Sequence, residues 1–238
     1  MRDSGVVRWD SVRALTWVAE GAVKVTGEVD VGTGTILGAL SVGGSLRADS
    51  FDCRGPLDVE GTVTVTGPFS LEGPTHLVGA VHAGRATFSG TTRSARDISV
   101  DGILTVHGHF AAPSLHVGEL RVDGALDIPG EIEAVNVDVR IRKPSRLGTI
   151  RARSVRLVRQ GPNPVERVLG RAPPPAVVRI EAGRVELEGV EVAFVRSPEI
   201  VLGRDAQVTE FEGTITRRHP TARVGPESRS APPHGLSR

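Results

Sequence analysis

The sequence predicts an all-β, single-stranded β-helix (a β-solenoid) with a smaller C-terminal β region. Three observations predict it: a six-residue glycine period, strict alternation of apolar and polar residues between the glycines, and a near absence of aromatics. Glycine falls at 55, 61, 67, 73 and 79. The phase slips by one, and Gly84, Gly90, Gly102 and Gly108 continue it with Arg96 in the vacant slot. Gly118, Gly124 and Gly130 follow after a second slip, and Gly21, Gly27, Gly38 and Gly44 show the same spacing upstream. Such a period is the first feature to seek in a chain, because it assigns the whole architecture.

Between glycines, pairs such as Val63 and Val65, Phe69 and Leu71, Leu104 and Val106, and Leu126 and Ile128 are separated by polar residues. Period-two alternation marks a strand with one buried face. Strands this short cannot build a broad sandwich, whose turns come every 8–12 residues or so. They can form the sides of a coil. Three six-residue sides make a triangular rung of about 18 residues, and rungs stack at about 4.8 Å. Glycine at or beside a corner permits backbone angles that a Cβ forbids. From Ala22 to Ile141 this predicts about six or seven rungs, a rod of about 30 Å. The aromatic content, six Phe, two Trp and no Tyr, suits a narrow core of small branched side chains.

The chain divides as follows. Residues 1–18 break the rhythm with Val6, Val7, Trp9, Val12, Leu15, Trp17 and Val18; they are expected to cap the solenoid, or to anchor it to a membrane surface through Trp9 and Trp17. Residues 19–160 form the solenoid. Within it, the arginine-dense run of Arg140, Arg142, Arg146, Arg151, Arg153, Arg156 and Arg159 is read as a solvated face on stacked strands. Residues 161–175, GPNPVERVLGRAPPP, form a proline-rich loop. Strand-like runs resume over 176–224, and 225–238 read as a disordered tail.

Composition excludes several function classes. The net charge is +1, from 29 basic and 28 acidic residues, unlike the one-sided balance of a sequence-indifferent nucleic-acid binder, so no nucleic-acid partner is expected. The single cysteine, Cys53, excludes an internal disulfide and reads as a small buried hydrophobe. The N-terminus lacks the apolar stretch of a signal peptide and no run of 18 apolar residues occurs, so the expected location is the cytoplasm, with membrane association through the anchor.

No chemistry emerges from the motifs. His76, His82 and His107 fall at outward positions; on 18-residue rungs His76 stacks near Ser94 and His107 near Ala125, which gathers no three nitrogens. GTGTILG around Gly32, Gly34 and Gly38 is not a phosphate-binding fingerprint, and no G-x-S-x-G elbow occurs. Asp58, Glu60 and Glu72 lie singly on polar faces. No catalytic, cofactor or metal site is therefore expected, and the chain is not expected to be an enzyme.

With this repeat, the chain resembles the bactofilins, or polymer-forming cytoskeletal proteins. The likeness covers residues 20–160 through VKVTGEVDV, LSVGGSLRADSFDCRG and LRVDGALDIPGEIEA. RLGTIRARSVRLVR and the segment VELEGVEVAFVRSPEIVLGRDAQVTEFEGTI followed by His219-Pro220 are similar to a longer subgroup. The resemblance implies a β-helical rod that polymerises end to end, without nucleotide, into scaffold filaments lacking polarity, and tails that recruit partners such as other scaffold or envelope proteins. The long C-terminal half departs from most members and puts free stacking at that end in question.

A solenoid end presents the strand edges and apolar ladders that bind neighbours within the rod. The candidate polymer interface is Val23, Val25, Val29 and Val31 at one end, and Val208, Phe211 and Ile215 at the other. Two other readings compete. One is an acyltransferase of the hexapeptide-repeat kind, in which a loop histidine would act; the other is a β-helical adaptor that co-assembles with a division or envelope partner.

Overall fold

A computed structural model describes residues 2–160 and 176–227, with side chains from Val6 onward. The expected loop at 161–175 and most of the expected tail lie outside the described residues. Among the described residues fifteen strands form one sheet wound on itself. They run β1 (Arg2–Trp9), β2 (Val12–Val25), β3 (Val29–Val42), β4 (Leu46–Arg54), β5 (Leu57–Val59), β6 (Val63–Glu72), β7 (Thr75–Leu77) and β8 (Val81–Ser94). Then come β9 (Ile98–Ala111), β10 (Leu115–Ile141), β11 (Arg146–Arg159), β12 (Ala176–Glu188), β13 (Glu191–Leu202), β14 (Gln207–Arg218) and β15 (Arg223–Val224). Each pairs in parallel with the strand one turn away. The result is a β-solenoid of about 12 turns with a repeat of roughly 17 residues, about 58 Å long at 4.8 Å per turn.

The repeat is shorter than the 18 residues expected because some sides hold five residues in place of six. Gly55, Gly61 and Gly67 stand at three successive corners; Gly73, Gly79 and Gly84 stand at the next three, with one position fewer before Gly84. The phase slips in the glycine pattern are these short sides. One corner column, Gly21, Gly38, Gly55, Gly73, Gly90, Gly108 and Gly124, holds φ between 99° and 158°, the region that favours glycine. A Cβ on Gly38 would also collide with the Gly21 carbonyl. At a second corner, the Gly44 N–H donates to the Gly27 carbonyl (2.9 Å) and the Gly61 N–H to that of Gly44 (3.0 Å).

Inward side chains stack in columns. Val12, Val29, Leu46, Val63, Val81, Ile98 and Leu115 form one, and Ile132, Ile150, Ile180, Val195 and Phe211 another. Four phenylalanines run through consecutive turns, with ring centroids 6.3 Å apart for Phe51–Phe69, 5.6 Å for Phe69–Phe88 and 5.9 Å for Phe88–Phe110. The ring of Phe51 fills the space where Gly34 lacks a side chain. Small residues beside large ones let a narrow core reach close packing.

Both ends differ from expectation. Residues 2–17 are a complete first turn, in register with 18–34 from Arg2 on Val18 to Trp17 on Gly34. At the other side of 161–175, Arg146 pairs Ala176 directly, so the C-terminal strands continue the same stack with turns of 15 or 16 residues. The start of the expected tail is ordered: the Gly225 N–H donates to Val208 (2.8 Å), and Glu227 bridges Phe211.

Candidate functional site

The rod has two open ends. Among the described residues β1 pairs only with β2, so its outer edge faces away from the stack. At the far end β15 covers β14 only at Gln207 and Val208, with Glu227 beside Phe211; among the described residues nothing pairs with the outer edge from Glu212 to Arg218. An unpaired parallel edge is a template for another strand. The larger core residues left half-buried sit at these ends: Trp9 at one, Phe211, Ile215 and Val224 at the other.

The interface residues expected from sequence divide accordingly. Phe211 and Ile215 are half-buried on the last full turn, with Val208 buried beneath β15. Val23, Val25, Val29 and Val31 are all buried, from 0% to 4% exposed, because the first turn covers the second. They are core and not an end surface; the N-terminal end lies one turn further out. Trp17 is fully buried and presents nothing to a membrane, while Trp9 packs half-buried against the core. The end residues missed are Leu15 and Val6, 90% and 84% exposed. Leu15 occupies the corner where most later turns carry glycine, with Asp49 the exception between Gly32 and Gly67, and its carbonyl faces Gly32. That exchange of Leu for Gly was readable once the corner register was known.

No family model, curated protein or solved structure matches this chain. Function must therefore be read from its own geometry.

Three arginines of the dense run meet carboxylates on neighbouring turns. Arg151 bonds Glu131 and, at 3.2 Å, Glu181; Arg156 lies 3.6 Å from Glu186; Arg142 forms a two-pronged pair with Asp123. Further pairs join Arg184 to Glu199 (3.3 Å) and Arg196 to Glu212 (2.8 Å). Hydrogen bonding to Arg142 holds the Asp123 carboxyl below its ordinary range, and hydrogen bonds from Arg179 and Arg151 do the same for Glu181. Carboxylates thus interleave with part of the run, which suits a solvated flank better than a polyanion groove.

Two of the histidines sit beside carboxylates. His76 Nδ1 is 3.3 Å from Asp58 and His116 Nδ1 is 3.1 Å from Glu133. With shorter turns, His76 stacks on Arg93 and His107 on Asp123, in place of the Ser94 and Ala125 expected. Among the described residues no three candidate ligands converge on a metal position. Burial, with Asp52 adjacent, pushes the Cys53 thiol up to about 12, which keeps it protonated and unreactive. A groove of about 650 Å³ crosses the first six turns, lined by Ala22, Ala39, Pro56 and Pro74 among others. No described helix is long and apolar enough to cross a membrane.

Proposed function

We propose that this protein is a structural scaffold of the bactofilin kind, whose rods join end to end, without nucleotide, into filaments. The observation that carries this reading is the pair of open ends. Parallel strand edges and half-buried apolar ladders surface together there, at Trp9 on one side and at Phe211, Ile215 and Val224 on the other. Joining two rods satisfies edge hydrogen bonds and removes these side chains from water by the contacts already used between turns.

The test is negative-stain electron microscopy and pelleting of the purified full chain, with and without nucleotide and across salt concentrations. Unbranched filaments that need no nucleotide are expected. A protein that stays monomeric at all concentrations and salts overturns the proposal. Assembly driven by burial persists in salt, whereas assembly by surface charge fades as the screening length shortens.

A further inference from the structure

We propose that the groove along the first six turns is a docking site for a partner protein, and that its occupant is an extended acidic peptide lying along the rod. The site is on the flank, so it goes beyond end-to-end assembly and does not depend on it.

The floor is one outward column. Val6 stacks on Ala22, and Ala22 on Ala39. Pro56 and Pro74 follow, their carbonyls accepting from the Leu40 and Leu57 N–H groups, and Thr91 ends the run. Six successive turns therefore place no charge there, although an outward column on another side carries Arg13, Asp30, Arg47, Thr64 and His82. Val6 is 84% exposed, and Ala22, Pro56 and Pro74 are exposed as well. A contiguous apolar surface rimmed by polar groups marks an interaction site. The proline rings are rigid, so docking on them costs little ordering.

One rim supplies the charge. Arg8, Lys24, Ser41, Asp58, His76 and Arg93 stack in register along it. His76 Nδ1 lies 3.3 Å from Asp58, whereas among the described residues Arg8, Lys24 and Arg93 meet no carboxylate. They differ in this from Arg142, Arg151 and Arg156 further along the rod. Three unpaired cations beside an apolar floor select a segment of acidic and small apolar side chains.

Spacing sharpens the selection. Lys24 and Arg93 are four turns apart, about 19 Å at 4.8 Å per turn. An extended peptide advances about 3.3 Å per residue and returns to the same side every second residue. Carboxylates six positions apart therefore face the same way, about 20 Å apart, and meet both cations. Asp58 lies midway and disfavours a third carboxylate between them. The strands of this face are already bonded to neighbouring turns, so side chains hold the peptide, which does not add as a strand. Other occupants fit the rim poorly. Residues 161–175 hold two arginines to one glutamate, and 228–238 hold two arginines and no acidic side chain. A second copy laid on the groove about a two-fold axis sets Arg8 against Arg93 and Lys24 against His76.

The experiment measures fluorescence anisotropy of a labelled decapeptide with the full chain. The peptide carries glutamate at its second and eighth positions, valine at its fourth and sixth, and serine elsewhere. One control replaces both glutamates by lysine, a second replaces the valines by serine, and a third moves the later glutamate to the seventh position. The first peptide should bind about tenfold tighter than the lysine control and about threefold tighter than the other two. K24E/R93E should weaken it about tenfold and let the lysine control bind in its place, with an unchanged melting curve. No binding at about 1 mM, equal binding of the glutamate and lysine peptides, or binding that survives K24E/R93E overturns the site. Binding indifferent to the valines and to the spacing also overturns it, because a charged patch alone then suffices. Rods that pair sideways in sedimentation and separate on K24E/R93E hand the groove to a second copy and overturn the peptide. A chain that binds the peptide and forms no filaments overturns the scaffold reading alone.

Discussion

Replacing Val25 and Phe211 by aspartate separates core from interface. Both were equal candidates by sequence, and the structure makes them unequal. Val25 is 0% exposed in the second turn. Val25→Asp forfeits about 2 kcal/mol of apolar burial and encloses a carboxylate at an effective cost of several kcal/mol. The sum, about 5 kcal/mol or more, rivals the whole stability of an ordinary domain, about 5–15 kcal/mol. Phe211 is half-buried on the last full turn. Its exposed part is at most about a third of a phenylalanine surface, about 70 Å², which at 25 cal/mol per Å² is up to about 1.8 kcal/mol per junction, or up to roughly twentyfold in assembly. The monomer loses about 3 kcal/mol from the buried part, with the carboxylate free to reach water. Circular dichroism melts and pelleting read the two effects separately. Val25→Asp should lower the melting temperature sharply; Phe211→Asp should lower it less, and should need up to roughly twentyfold more protein to pellet. Filaments of Phe211→Asp at wild-type concentration, or a wild-type melt for Val25→Asp, refute the assignment of end and core.

Phe69→Ala removes the ring that meets Phe51 and Phe88 and should cost about 3–5 kcal/mol in urea unfolding. Gly38→Ala places a Cβ at φ 140° against the Gly21 carbonyl and should cost on the order of 1–3 kcal/mol, through strain with no loss of buried area. Cys53 should resist alkylation in the native state and react on unfolding, since burial keeps its thiol protonated; labelling at the native rate of a free thiol contradicts this. Asp123 and Glu181 have depressed carboxyl pKa values. Their contribution is present above the unfolded-state pKa and is lost as pH falls through the folded value, so it should fade below about pH 4. Arg142→Gln with Arg151→Gln should flatten that acid limb of a stability-pH curve.

The coil was legible because glycine reports corners without reference to any distant residue: Gly55, Gly61 and Gly67 already outline one turn. The turn length was legible too, in the slip between Gly79 and Gly84, but only if the slip is read as a short side and not as noise. What stayed hidden depends on register across turns. The run from Arg140 to Arg159 looked basic because its partners lie on other turns; Glu181 reaches Arg151 across 30 positions, an offset set by the 161–175 insertion that no local pattern encodes. The N-terminal end was placed one turn too far in for a related reason. In the first turn the corners facing Gly27 and Gly32 carry Asp10 and Leu15, so the glycine signal fades where the stack begins. A first turn has nothing stacked on its outer side, and the carbonyl crowding that demands glycine at Gly44 or Gly67 comes from the turn before. Loss of corner glycine is therefore what an outermost turn permits. If a second rod docks on that turn, Leu15 stands at the junction, and its exposed side chain becomes a contact that no interior turn possesses.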